Sequence, residues 1–224
     1  MVAPDSNNSG MVMGRRGISV AFLILAIGAF LDLNTYLSAL SIILSIIAIV
    51  LLIAYRKSFS GRQRRAVYGS IVLYIVISFI VIGGLVAVTF TFIKSLLTEG
   101  FSVVIPAQYV NNVFNQIFPL LILNAAASDG LCYYLLVMRL LHRVDHAIYI
   151  GALVVSVTLR VLVLVLTHQG SLPIPQQVSG YLSVIRTDFY NPYEAILSIS
   201  ASLILGLLLL YVSIQISRGR VLDQ

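Results

Sequence analysis

Asp129 and Arg160 are the residues from which chemistry would first be expected. Each lies inside an apolar stretch long enough to cross a bilayer, Val113–Leu141 and Ala147–Thr167. They stand at matching distances on either side of the polar run His142-Arg143-Val144-Asp145-His146. If the two stretches form an antiparallel hairpin, the carboxylate and the guanidinium meet at one depth. By helix rise that depth is roughly 23 Å from the centre of the turn. A lone charge there costs roughly 2.5–3.5 kcal/mol on insertion scales, so each group needs the other or a ligand. A structural ion pair would lock two helices in register. A substrate, ion or proton site would use the same two groups together with Asn124.

The stretch that carries Asp129 is long. "VFNQIFPLLILNAAASDGLCYYLLVMRLL" would run about 43 Å as one straight helix, against a hydrocarbon core of about 30 Å. Pro119 removes a backbone hydrogen bond and predicts a kink. Gly130 follows Asp129 directly, with Asn124 and Ser128 close by, and predicts a helix break. Polar groups beside an interrupted helix at mid-depth are the pattern of secondary-transporter binding sites. Such backbone is tolerated only against protein or water.

The elements that must hold these residues follow from composition. The chain has 224 residues, 59% hydrophobic and 10% charged. A soluble domain carries roughly 25% charged residues, so the solvent for most of this chain is expected to be lipid. The expected fold class is all-α: a polytopic integral membrane protein of one domain with six transmembrane helices. The six stretches are Gly17–Leu33, Thr35–Tyr55, Val67–Ile93, Val113–Leu141, Ala147–Thr167 and Ala195–Ile216, the first two joined by a tight turn at Asp32–Asn34. Residues 1–14 read as a mobile polar tail rather than a cleaved signal segment, 15–220 as the membrane domain, and 221–224 as a second tail. The long connections Lys94–Asn112 and His168–Pro192 are expected to hold short interfacial helices or a hairpin.

Six spans put Arg15, Arg16, Arg56, Lys57, Arg62, Arg64, Arg65, Arg139, Arg143, Arg218 and Arg220 on one side. The other side holds Lys94 and Arg186, with acidic Asp32, Glu99, Asp188 and Glu194. The positive-inside rule then predicts a multi-pass protein of the cell membrane with both termini cytoplasmic. The loop cluster Arg56, Lys57, Arg62, Arg64 and Arg65 could also meet anionic lipid or an acidic partner. Direct nucleic-acid contact is conceivable there but unsupported, because aromatic interleaving is thin. Ser38, Ser41, Ser45 and Ala48, the pair Gly83-Gly84, and Ser198, Ser200, Ser202 and Gly206 read as helix-packing stripes.

No phosphate loop, Gly-x-Ser-x-Gly, His-Glu-x-x-His or Cys-x-x-Cys occurs, and the single cysteine, Cys132, is apolar-flanked. His142, Asp145 and His146 have metal-ligand spacing, but the segment reads as a solvated turn. No catalytic residue, metal site or cofactor is assigned. The expected function is a non-enzymatic membrane subunit of a transport or translocation assembly. DNA or protein would be the cargo, with other membrane subunits and a cytoplasmic ATPase as partners. The alternatives are a small secondary transporter or channel built on the helix break, and a lipid-modifying membrane enzyme.

Overall fold

The computed structural model describes residues 6–33, 37–99, 107–138, 140, 143–169 and 192–218. These residues are all-helical, without strands. In chain order the helices are α1 (Ser6–Leu31), α2 (Ser38–Ala54), α3 (Gly61–Glu99), α4 (Ala107–Leu123), α5 (Tyr133–Val137), α6 (Arg143–Gln169) and α7 (Pro192–Ser217). A single 3₁₀ turn, Arg56–Ser58, follows α2, and a π-helical segment, Asn124–Cys132, joins α4 to α5. Among the described residues five helical segments are long and apolar enough to cross a membrane: Gly14–Leu31, Gly61–Lys94, Asn112–Val137, Asp145–Leu166 and Leu197–Ser217. Leu40–Ala54 is apolar but shorter.

Several boundaries differ from the sequence expectation. α1 begins at Ser6, inside the stretch expected as a tail. α2 has 17 residues, a rise of about 26 Å. α3 starts at Gly61 because Ser60 and Gln63 form a reciprocal cap. The Ser60 N–H donates to Gln63 Oε1 at 3.0 Å, and the Gln63 N–H donates to Ser60 Oγ at 3.5 Å. That is a capping box, which satisfies two of the donors a helix start leaves open. At its other end α3 runs to Glu99, so the expected loop Lys94–Asn112 is helical at both ends. Residues 100–106 and most of the connection His168–Pro192 lie outside the described residues. Arg143, Val144, Asp145 and His146 form the first turn of α6 rather than the connection. His142 and Arg139 lie outside the described residues.

α1 is the central helix of one group, packed on α2 and α7, while α7 also packs on α6. Its buried positions are Ile18, Ala21, Phe22, Leu25, Ala26 and Ala29, a three-and-four spacing that makes one stripe. α7 answers with Ala201, Leu205, Leu208, Leu209, Val212 and Ile216. Gly206 lets the helices close: a Cβ there would lie 2.7 Å from the Phe30 ring. Ser19 and Ser213 tie the pair, each hydroxyl donating to the other's carbonyl at 2.9 and 2.8 Å. The second group is α3, α4, the π segment and α5. The groups join through α6, which contacts α4 and the π segment, and through Val67, Ile71, Leu136 and Val137 in the shared core.

One end of the molecule is basic. Gly14 of α1 packs against Ser58, which brings Arg16 to the end of the molecule that holds Arg56 and Lys57. The Ser19–Ser213 tie brings Arg218 to the same end. Arg16, Arg56, Lys57, Arg62, Arg64, Arg65 and Arg218 are all exposed.

Candidate functional site

The π segment positions Asp129. In it the backbone hydrogen bonds run i→i+5, which widens the helix and puts Asn124 and Asp129 one hydrogen-bonded turn apart. Helices of this kind occur as short interruptions, frequently at functional sites. α4 passes through Pro119 without ending, and Pro119 is exposed. The departure from α geometry therefore lies at Asn124–Cys132, which contains Gly130 and not Pro119. Gly130 faces α6, where a Cβ would meet Val157 at 3.4 Å. The carbonyls of the segment's last residue and of the next draw donors from neighbouring helices. Ser70 Oγ donates to the Cys132 carbonyl at 2.7 Å, and the Tyr149 hydroxyl donates to the Tyr133 carbonyl at 3.3 Å.

Asp129 and Arg160 are joined. Arg160 Nη1 donates to Asp129 Oδ2 at 2.5 Å, with both side chains about one-fifth exposed. Arg160 Nη2 also reaches Ser202 Oγ of α7 at 3.4 Å. Arg160 thus hydrogen-bonds to both the π segment and α7. Its Nε is buried with no partner among the described residues. An arginine has five N–H donors in a fixed fork, so the pair with Asp129 leaves donor capacity over. Asn124 is half-buried one wide turn before Asp129.

A second carboxylate belongs to this cluster. Asp32 lies one residue past α1, in the turn toward α2. The charges of both Arg160 and Asp129 reach it. Burial pushes the Asp32 carboxyl above its ordinary value; a hydrogen bond with the Ser41 side chain and the Arg160 charge act against that. The field of Asp129 also reaches Tyr74 on α3 and Tyr133 on α5. The site is therefore one guanidinium paired with one carboxylate, with a second carboxylate and two phenols within range of their charges. The sequence reading placed Asp32 only in an acidic outer loop and Ser202 only in a packing stripe. The signal available for Asp32 was its position at the end of an apolar helix, where a carboxylate can turn inward.

Beside the cluster is a partly open cavity of about 40 Å³. Leu25, Ser45, Ser70, Tyr74, Ser128, Cys132 and Tyr133 are among its lining residues. Ser128, adjacent to Asp129, is 3% exposed and its hydroxyl has no partner among the described residues. An unsatisfied buried hydroxyl costs about 1–3 kcal/mol.

The basic cluster Arg56, Lys57, Arg62, Arg64 and Arg65 is exposed at the far end of α2 and α3 from Asp32, apart from the charge pair. Asp145 accepts a hydrogen bond from the Tyr211 hydroxyl at 2.8 Å, and His146 sits edge-on to Tyr134. Among the described residues no three His, Cys, Asp or Glu side chains gather as metal ligands would. The chain matches no known protein-family model, no curated protein and no solved structure.

Proposed function

We propose that this chain is a non-enzymatic multi-pass protein of the cell membrane that moves a proton or small cation at the Asp129–Arg160–Asp32 cluster. The observation that carries the reading is the imbalance of two carboxylates against one guanidinium, set on a π-helical segment. An intramembrane ionisable group is by default a functional candidate. When Asp129 takes a proton its hold on Arg160 weakens, and Arg160 then has Asp32 as its remaining carboxylate. That exchange links protonation to the packing of α6 against the π segment and α7. In this reading the chain crosses the membrane six times, with α2 the shortest span, and the positive-inside rule favours a cytoplasmic basic end and cytoplasmic termini.

The test is reconstitution in liposomes loaded with a pH-sensitive dye, under an imposed pH gradient. The wild-type chain conducts protons. Asp129→Asn lowers the flux by about tenfold or more, the loss of one barrier step of roughly 1.4 kcal/mol; it leaves Arg160 without its partner and so costs stability, but the variant still folds in detergent. Equal loss of flux and folding would assign the pair to structure and sink the reading. Asp32→Asn adds a pH signature. A carboxyl raised by burial contributes stability in acid that is lost as pH rises through its folded value. Wild type therefore loses stability on going from acid to neutral pH, and Asp32→Asn removes that loss, as read by denaturation across pH.

A second reading is favoured by the exposed basic collar Arg16, Arg56, Lys57, Arg62, Arg64, Arg65 and Arg218. Arg62, Arg64 and Arg65 crowd the start of α3, where the helix dipole disfavours cations. An acidic cytoplasmic partner such as a motor ATPase would offset that, making the chain a subunit of a transport or translocation assembly. Isolation from native membranes as a monomer with no co-purifying protein would count against it.

A further inference from the structure

The cavity lies between two helices that barely touch. α2 packs on α1, and α3 packs on α4, the π segment and α5, but α2 and α3 make little contact with one another. The cavity occupies the space they leave, with Ser45, Ile49 and Leu52 on the α2 side and Ser70, Ile71 and Tyr74 on the α3 side. Its buried lining at Leu52, Ile71 and Leu136 closes the end toward the basic collar. Ser45, Ile49 and Tyr74 are half-buried and mark the open side, between α2 and α3. On that flank α2 carries exposed Ile42, Ile46 and Ile53. The opening therefore gives onto apolar surface and not onto the basic end.

The wall states what an occupant must be. No charged side chain lines it, so the occupant is neutral. A volume of about 40 Å³ has room for roughly three water-sized groups, at about 10–15 Å³ each. Ser70 Oγ is committed to the Cys132 carbonyl, and Tyr74 hydrogen-bonds with the Ser78 side chain. Ser128 is 3% exposed, and its hydroxyl has no partner among the described residues. A hydrocarbon chain would leave that hydroxyl unserved. A bound water needs about two to four polar partners, and Leu25, Ile49, Leu52, Ile71 and Leu136 offer none. A hydroxyl on a carbon stem meets both demands, with its oxygen at Ser128 and its methylenes against the leucines and isoleucines.

We propose that this cavity is a lateral binding site for a neutral amphiphile with one hydroxyl, an alkanol dissolved in the bilayer. Its hydroxyl shares a hydrogen bond with Ser128 Oγ, its first carbons fill the cavity, and its chain leaves between α2 and α3 along Ile42 and Ile46. The site needs the lipid setting of the helices but neither the charge pair nor proton movement, so failure of the flux assay leaves it standing.

The test uses the full chain in lipid nanodiscs and an azioctanol whose diazirine sits close to the hydroxyl. Photolysis attaches the probe to the residues within reach, and peptide mass spectrometry locates it. Labelling is expected to saturate and to fall on Ser45–Leu52 and Ser70–Tyr74. Octanol at about ten times its Kd is expected to suppress labelling about tenfold by mass action. Octane, with the same chain and no hydroxyl, is expected to leave it intact. Ser128→Ala is expected to lower occupancy at sub-saturating probe about two- to tenfold, the effect of one hydrogen bond. That variant removes a hydroxyl with no partner among the described residues, so its thermal unfolding is expected to match wild type. Ser45→Leu fills the mouth and is expected to abolish saturable labelling; Ile49→Phe fills the same space should Ser45→Leu fail to fold. Non-saturable labelling spread over exposed positions such as Phe79 and Phe90 is partition into the bilayer only and overturns the inference. Equal competition by octane also overturns it, since the cavity is then an acyl-chain groove. Unchanged labelling of Ser128→Ala overturns it by leaving that hydroxyl without a role.

Discussion

The seam between α1 and α7 and the outward face of α3 are written in the same apolar alphabet but behave oppositely. The seam interleaves small residues with large ones: Ala21, Ala26 and Ala29 on α1, Ala201 and Gly206 on α7. Its helices approach closely, and its two serines bond across it. α3 carries Val72, Phe79, Ile82, Val86 and Phe90 on exposed positions, Phe79 at 75%. Gly83 lies among them with nothing within 4 Å of an added Cβ. Hydrophobicity does not tell these surfaces apart. Where the surroundings are as apolar as the side chains, close approach by small residues and hydrogen bonds decides what packs. Large side chains at full spread are left uncovered on α3.

Arg160 stands where the closed group meets the open one, so the largest effect is expected there. Arg160→Ala leaves Asp129 buried and uncompensated and should cost about 3–5 kcal/mol, read from unfolding in mixed detergent. The double exchange Asp129→Arg with Arg160→Asp should recover most of that stability but no flux. Recovery of flux as well would erase the distinction between holding the groups together and handling a charge. Next in size are the glycines. Gly206→Val pushes a side chain into the Phe30 ring and should cost about 1–3 kcal/mol. Smaller still is Ser213→Ala, with interhelical hydrogen bonds of this kind worth on average about 0.6 kcal/mol in membrane helices. Gly83→Val on α3 should change stability by less than about 0.5 kcal/mol. A large loss at Gly83 in native membranes, absent in detergent, would instead reveal a partner covering α3.

The helices and the Asp129–Arg160 encounter were legible because both follow from simple counting. Apolar runs set the segments, and matching distances from one turn set the depth. The π segment was not legible as such. Asn124, Ser128 and Gly130 marked the place, but a wider helix differs from a broken one only in where its carbonyls find donors. Within the segment those donors are backbone N–H groups five residues on, and at its end Ser70 of α3 and Tyr149 of α6 take over, which no local pattern announces. Pro119 carried a stronger local signal and yet lies inside a continuing helix, because neighbouring packing can absorb one lost hydrogen bond. Asp32 was read from its loop and not from its neighbours, since nothing local tells which way a carboxylate at a helix end will turn. The pairing of α1 with α7 was equally hidden, being a contact between the two extremes of the chain.

That last pairing has a consequence in time. Ser19 and Ser213 are separated by 194 positions. Synthesis proceeds at about 5–20 residues per second, so α1 exists for roughly 10–40 s before its principal partner has been made. During that interval the stripe Ile18–Ala29 has α2 beside it but no α7. Until then α1 has α2 as its neighbour and half of its stripe uncovered, and the closed group is completed only when the final helix arrives.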